Sequence, residues 1–214
     1  GDWEVEDDGI LLRFDPWGGQ KTGLFLDMWE NRRRMVPALA QGRVADLFCY
    51  VGQWGLHAAR AGAAEVVCVD RSAGAIERVE AAAAANGLQD RVRGVAGDVK
   101  AFLEAQPDAS FDSVICDPPA FIQGKKDVSA GLRAYRSLFA RAIAKVKPGG
   151  MAVLASCSSH LLEDRFAELV ADAGRWSKRP LRLLMVGGQA PCHPVPLSLP
   201  EARYLKCWLV EVGD

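Results

Sequence analysis

Two polar segments in the second half of the chain carry residue types that could do chemistry. Asp117-Pro118-Pro119-Ala120-Phe121 follows one apolar run, and Ser156-Cys157-Ser158-Ser159-His160 follows the next. The prolines stiffen the first segment and leave carbonyl groups without a local N–H partner, so Asp117 could hydrogen-bond a planar base with Phe121 as a stacking surface. Cys157 supplies a thiol, whose thiolate form is a strong nucleophile. The alternative is structural: a rigid turn with a capping Asp, and a buried cysteine at a strand end.

Three segments in the first half end in residues that could hold an adenosine group. The first contains Gly52 and Gly55, which would let the backbone approach a ligand closely at the start of a helix. The strict G-x-G-x-x-G fingerprint of dinucleotide sites is absent, which argues against NAD. Asp70 could accept hydrogen bonds from both ribose hydroxyls, and Asp98 from an adenine amino group. Each acid taken singly fits a loop or a helix cap, but their joint placement after consecutive apolar runs favours an adenosine site without a phosphate cradle.

Short apolar runs alternate with helical segments, and this pattern predicts the elements that position these residues. Strands are predicted at 44–49, 65–70, 92–96, 111–117, 151–156, 181–186 and 204–212, and helices at 54–61, 73–86, 99–105, 132–145 and 161–173. Such alternation is typical of an α/β fold, here a doubly wound, seven-stranded, mostly parallel sheet. The Pro-rich loop 191–200 contains no helix, so the last two strands should run antiparallel. Ligands of such sheets bind at the carboxyl ends of the strands, where all the polar segments are expected.

A short N-terminal region, residues 1–40, precedes the sheet domain of residues 41–214. Residues 3–15 are typical of a strand pair that turns at Asp7-Asp8-Gly9. A Gly-containing loop over 16–23 and a helix over 25–39 follow. The region is therefore predicted to be a β-hairpin and helix extension of the main domain.

The composition excludes several classes of protein. The 214 residues are 50% hydrophobic and 25% charged, with a net charge of -1 and a mean hydropathy of +0.00. No apolar stretch is long enough for a membrane span, no secretory signal is visible, and the near-zero net charge argues against a wholesale polyanion-binding surface. The six cysteines show no CxxC spacing. We therefore expect reduced thiols in a cytoplasmic protein, with neither a disulfide framework nor a metal site.

The chain resembles the class I methyltransferases, which bind S-adenosylmethionine on a Rossmann-like sheet. The resemblance lies in the segment from Asp46 to Gly55, in the acids Asp70 and Asp98, and in Asp117-Pro118-Pro119. It implies S-adenosylmethionine as the cofactor and S-adenosylhomocysteine as the product. The cofactor-binding residues that it implies are Gln20, Lys21, Phe25, Asp46, Phe48, Tyr50, Gly52, Gly55, Asp70, Arg71, Asp98, Val99 and Asp117.

Cys157 separates two chemistries that such a domain could perform. C5 of cytosine is a poor nucleophile, so its methylation requires prior addition of a thiolate at C6, whereas a ring nitrogen or an amine attacks directly. Asp117 at the N3 side of the ring would stabilise the charge that develops there. The alternatives are an N-methyltransferase in which Cys157 is incidental, and a cofactor-binding interaction module without turnover.

A sharper resemblance is to the bacterial 23S rRNA cytosine-C5 methyltransferases of the RlmI type. It runs from about residue 10 to the end and is carried by the segments 19–27, 46–55, 117–121, 131–135, 156–158 and 189–206. It implies Cys157 as the nucleophile, Asp117 beside the target base, and large-subunit ribosomal RNA as the substrate. The substrate-binding residues that it implies are Pro118, Pro119, Phe121, Lys125 and Lys126.

The sequence departs from this resemblance at two points and leaves several roles open. Full-length members carry an RNA-binding PUA domain and a β-hairpin domain, and this sequence begins after most of them; Met28-Trp29 stands where they more often have Gln-Arg. Arg32-Arg33-Arg34 and Arg133 with Arg136 could contact phosphates or form a solvated face. His160 is a weak candidate for the base that removes the C5 proton. The sequence does not identify that base, the target nucleotide or whether the chain forms a homodimer.

Overall fold

A seven-stranded sheet forms the centre of the protein. The computed structural model describes residues 2–18, 23–199 and 202–214. The strands of the sheet are β3 (Arg43–Leu47), β4 (Glu65–Asp70), β5 (Val92–Ala96), β6 (Phe111–Cys116), β7 (Val146–Ser156), β8 (Leu181–Gly187) and β9 (Lys206–Val212). They lie in the order β5-β4-β3-β6-β7-β9-β8, and β9 runs antiparallel to both of its neighbours. The predicted doubly wound, mostly parallel α/β sheet with an antiparallel final pair is thus confirmed.

Six α-helices and a separate strand pair surround the sheet in the described part of the chain. The helices are α1 (Trp29–Leu39), α2 (Gln53–Arg60), α3 (Ala73–Ala85), α4 (Val99–Ala105), α5 (Val128–Ala144) and α6 (Glu163–Ser177), with 3-10 turns at Leu26–Met28 and Lys125–Asp127; the strand pair is β1 (Trp3–Asp7) and β2 (Ile10–Phe14). Helix α3 begins at the Ser72 hydroxyl, which accepts the Ala75 N–H at 3.2 Å. None of the helices described is both long and apolar enough to cross a bilayer.

Several strand and helix boundaries differ from the predicted ones. β7 begins at Val146 rather than 151, because the Pro148-Gly149-Gly150 segment continues the strand past an irregular register with β6. β3 ends at Leu47 because Phe48 adopts a φ of 60°. α5 begins at Val128, four residues earlier than predicted, after the 3-10 turn.

Two apolar layers enclose the sheet. The first joins one face of the sheet to α1, α2 and α3, and the second joins the other face to α4, α5 and α6. Large side chains such as Phe139 and Phe166 are fully buried in the second layer, and burying each one stabilises the fold by roughly 1.5–3 kcal/mol. Packing from both sides leaves the carboxyl ends of the parallel strands as the place where a ligand can enter.

Apolar packing and the partly buried acid Asp7 fix the N-terminal strand pair to the main domain. Ile10 and Leu12 of β2 belong to the first apolar layer. Asp7 of β1 accepts hydrogen bonds from Arg32 and from Gln53, both at 3.1 Å, and lies 3.3 Å from His57. Burial alone would raise the pKa of Asp7, but the neighbouring His57 and the charge of Arg32 lower it to about 2.

Candidate active site

A cavity of about 960 Å³ lies at the carboxyl end of the sheet. Each of the strands β3 to β7 contributes at least one lining residue at or just after its end: Phe48, Asp70, Asp98, Asp117 and Cys157. The order of the strands reverses between β3 and β6, and this switch point is where α/β sheets bind their ligands.

The turn after β3 bends the backbone sharply into the cavity. Phe48, Tyr50 and Gly52 all have positive φ, at 60°, 50° and 79°. Two non-glycine residues in this region store strain, which is common at ligand sites. The Tyr50 N–H donates to Asp70 Oδ2 at 3.0 Å, and its ring contacts the edge of Phe25, with centroids 5.5 Å apart. Helix α2 then begins without a capping side chain, so its amino end is suited to an anionic group.

The acids proposed to hold ribose and adenine line the cavity and also order its walls. Asp70 Oδ1 accepts the Ser72 N–H at 2.9 Å, and Asp98 Oδ1 caps α4 by accepting the Ala101 N–H at 3.0 Å. A carboxylate has about four acceptor positions, so these local bonds leave room for a ligand. Among the other predicted cofactor residues, Phe25, Tyr50, Arg71 and Val99 also line the cavity.

Asp46, Gly52 and Gly55 support the cavity from beneath and do not line it. Asp46 Oδ2 accepts the Gly55 N–H at 2.8 Å, while Oδ1 is buried without a hydrogen-bond partner among the described residues. Burial raises the pKa of Asp46 to about 8. A Cβ at Gly55 would lie 2.5 Å from Cys68 Sγ, so this glycine serves close packing of α2 on the sheet. Two predicted cofactor residues, Gln20 and Lys21, lie outside the described residues.

The residues proposed for catalysis and substrate binding open onto the same cavity. Asp117, Pro118, Pro119, Phe121 and Cys157 all line it. Cys157 is partly exposed, whereas Cys49, Cys68, Cys116 and Cys207 are buried. Burial raises the pKa of the Cys49, Cys116 and Cys207 thiols well above the usual value, and nearby acids raise it further.

Tyr135 of α5 joins the Asp-Pro-Pro loop to the loop that carries Cys157. Its hydroxyl accepts the Phe121 N–H at 3.2 Å and the Ser156 hydroxyl at 2.9 Å, and it lies 2.9 Å from the Ser158 hydroxyl. The Phe121 and Tyr135 rings pack with centroids 4.6 Å apart. The residues on both sides of Cys157 and the opposite loop all hydrogen-bond to the same buried hydroxyl. The fold therefore fixes the distance between the Cys157 thiol and the Asp117 carboxyl group.

Several candidates from the sequence lie outside the cavity. Lys125 and Lys126 are exposed on their 3-10 turn, and His160 is exposed; none of the three lines the cavity. Arg136 is engaged internally, 3.6 Å from Asp172 and over the Trp176 ring. The guanidinium group of Arg136 is therefore already engaged by these neighbours, which disfavours a role in phosphate binding.

Sequence reasoning gave one charged residue of the cavity wall the wrong role and missed another. Arg32 is 2% exposed and donates to the Phe25 carbonyl at 3.1 Å, so it belongs to neither a solvated face nor a phosphate-binding surface. Asp27 is also buried, and accepts the Tyr204 hydroxyl at 2.6 Å. Asn31, four residues after Asp27, is buried as well. These residues could have been found from the sequence, because they are polar residues on the otherwise apolar side of this helical segment.

The comparisons with known proteins agree with this geometry. A family model described as S-adenosylmethionine-dependent methyltransferase matches residues 1–173. The chain belongs to this methyltransferase family. Over 94% of its length it is 36% identical to the ribosomal RNA large subunit methyltransferase I of Shewanella denitrificans and 35% identical to that of Photobacterium profundum. It spans about half of these relatives, 52% of each.

A solved structure shares the whole fold. SMU.776, described as a methyltransferase and crystallised with SAH, superposes with a TM-score of 0.85 at 22% identity, over 99% of this chain and 56% of that one. At this identity the likeness shows the fold.

The residues of this methyltransferase cavity fit S-adenosylmethionine. Trp54 Nε1 and Arg32 Nε are buried without hydrogen-bond partners among the described residues, and both side chains line the cavity. Both atoms are donors, suited to the carboxylate of the methionine part. Asp70 and Asp98, predicted to contact ribose and adenine, both line the cavity and are hydrogen-bond acceptors.

Proposed function

We propose that this chain is the catalytic part of an S-adenosylmethionine-dependent methyltransferase that forms 5-methylcytosine in large-subunit ribosomal RNA. Support comes from one cavity that Cys157 and Asp117 share with Asp70 and Asp98. The names of the relatives support ribosomal RNA as the substrate, and an rRNA substrate implies a cytoplasmic enzyme.

Cys157 would act as the nucleophile. Its thiolate sulfur adds to C6 of cytosine, the C5–C6 double bond opens, and its electron pair moves to C5. S-adenosylmethionine, when bound, would supply the methyl group to C5 as its methyl–sulfur bond breaks, leaving S-adenosylhomocysteine. After C5 carries the methyl group, its proton leaves to a base, the C5–C6 double bond re-forms, and the Cys157–C6 bond breaks to return the thiolate.

Asp117 would hold the base during this sequence. Its carboxyl group lines the cavity at the end of β6, and a hydrogen bond at the N3 side would stabilise the charge that develops when sulfur adds to C6. Pro118 and Pro119 fix the loop, while Phe121 offers a ring beside the cavity. Lys125 and Lys126, exposed beyond this loop, would contact phosphates of the RNA.

Nucleoside analysis tests the proposal. Unmodified large-subunit rRNA is incubated with the protein and methyl-labelled S-adenosylmethionine, then digested and examined by mass spectrometry. We expect labelled 5-methylcytidine from the wild type and from Cys192→Ala, a control at the exposed cysteine, and none from Cys157→Ala. A labelled N-methyl nucleoside that survives Cys157→Ala would overturn it in favour of an N-methyltransferase. Cofactor binding without any transfer would indicate an interaction module.

A further inference from the structure

Lys206 is a buried cation beside the loop that carries Cys157. It is the first residue of β9 and pairs with Ser156 of β7 in the antiparallel register. Only 2% of Lys206 is exposed. Its Nζ donates to the carbonyl of Ser158 at 2.7 Å and to that of Tyr204 at 2.8 Å. The ammonium group therefore contacts the backbone just after Cys157, and strand β9 pairs with the residue just before it.

The surroundings of this ammonium group contain little negative charge. Among the residues that the structure describes, no carboxylate forms an ion pair with Lys206, and its hydrogen bonds go to neutral carbonyls. A buried charge without a counter-charge is unfavourable. Burial lowers the pKa of Lys206 to about 8, while the charges of Cys157 and of Glu163 act in the opposite direction. Ionised Cys157 is therefore a natural counter-charge for this lysine.

Two tyrosines and one acid also lie near Cys157. Tyr135 lies beneath the loop, and burial raises the pKa of its hydroxyl, which favours the neutral form. Burial also raises the pKa of Tyr204, whose hydroxyl donates to the carboxylate of Asp27. Asp117 lines the cavity beside Cys157. A carboxylate at Asp117 opposes ionisation of a thiol at this position, and the neutral tyrosines supply no compensating positive charge.

We propose that Lys206 is a positioning residue that stabilises the thiolate form of Cys157 and fixes its loop through the Ser158 carbonyl. The proposal rests on the role of Cys157 given above and identifies what would activate it. When Cys157 ionises, its proton leaves to solvent, and the sulfur gains a negative charge on the loop that the buried Lys206 ammonium group contacts. Thiolates beside lysine or arginine are a common way to obtain a reactive cysteine near neutral pH.

The test measures alkylation of Cys157 by iodoacetamide between pH 6 and 10, followed peptide by peptide by mass spectrometry. It needs neither RNA nor cofactor, and exposed Cys192 reports reagent reactivity in the same sample. Lys206→Met should slow alkylation of Cys157 at pH 7 by about tenfold, equivalent to about one pH unit in the midpoint. Lys206→Arg should retain the wild-type profile. Lys147→Met, at the other end of β7 and partly exposed, is the matched control.

Each outcome supports or overturns the role of Lys206. A Lys206→Met profile equal to that of the wild type overturns it. If that variant does not fold, the wild type decides: a midpoint for Cys157 below the value of about 8.5 for a free thiol supports the role, and a midpoint at or above it does not. If Lys206→Met shifts the alkylation profile of Cys157 but the wild type transfers no methyl group, the proposed function is overturned and the role of Lys206 is supported. Normal 5-methylcytidine formation with an unshifted profile overturns only the role of Lys206.

Discussion

Gly55→Ala tests the close packing of α2 beneath the cavity. The new methyl group would lie 2.5 Å from Cys68 Sγ and 3.1 Å from both Asp46 Oδ2 and Val66 Cγ1. All three neighbours lie on buried strands, so relief requires a shift of the helix or the sheet. Overpacking of this kind destabilises by roughly 1–3 kcal/mol, and the higher helix propensity of alanine offsets up to about 1 kcal/mol. We expect a net loss of about 1–2 kcal/mol, or roughly 2–8 °C in Tm.

Urea unfolding and thermal melting followed by circular dichroism measure this loss. Gly74→Ala is the matched control, because Gly74 also lies near the start of its helix and its Cβ would meet only Arg78 Nη1, at 3.8 Å. That variant should be neutral or up to about 1 kcal/mol more stable. Adding Cys68→Ala to Gly55→Ala removes the closest clashing atom and should recover part of the loss. Equal stability of the two single alanine variants would refute the packing explanation.

Three further predictions concern the acid below the cavity, the shared hydroxyl and the helix cap. Because the pKa of Asp46 is raised to about 8, the folded chain keeps a proton that the unfolded chain releases. Its contribution to stability is full below about pH 4 and is lost as pH rises toward 8. In urea titrations between pH 5 and 7, the free energy of unfolding of Asp46→Asn should therefore rise relative to that of the wild type by up to about 1.4 kcal/mol per pH unit. A pH-independent difference would contradict this. Tyr135→Phe removes the acceptor for the Ser156 hydroxyl and the Phe121 N–H and should cost about 1–3 kcal/mol, whereas an unchanged urea midpoint would count against the shared network. Asp98→Asn keeps a side chain able to cap α4 but loses the carboxylate, so calorimetry should show about tenfold weaker S-adenosylmethionine binding at unchanged Tm; unchanged affinity would remove Asp98 from the cofactor site.

The sequence predicted the elements whose signals are local. The strands at Glu65–Asp70 and Val92–Ala96 and the helix at Val99–Ala105 have the predicted bounds. A run of branched apolar residues defines the first strand, and Asp98 caps the helix. Placement of polar residues after strands predicted that Asp70, Asp98, Asp117 and Cys157 would share a cavity, but it also suggested His160, which lies outside it. Their individual roles stay predictions.

Contacts between distant parts of the chain could not be predicted in this way. The run Arg32-Arg33-Arg34 is typical of solvated surface, yet Arg32 is buried because Asp7 reaches it from the N-terminal strand pair. Lys206 reaches the Cys157 loop only because β9 inserts antiparallel between β7 and β8. Both residues are positioned by contacts between segments that are far apart in the sequence. No periodic pattern in the sequence indicates such contacts.

Covalent trapping on RNA that contains 5-fluorocytosine tests the central claim most directly. Fluorine at C5 cannot leave as a proton does, so an enzyme that adds a thiolate to C6 stays bound to its substrate after methyl transfer. In the presence of S-adenosylmethionine, the wild type should form a complex that survives denaturation, with peptide mapping placing the RNA on Cys157; Cys157→Ala should form none. Methyl transfer to cytosine without any trapped complex, or a complex that persists in Cys157→Ala, would contradict the account.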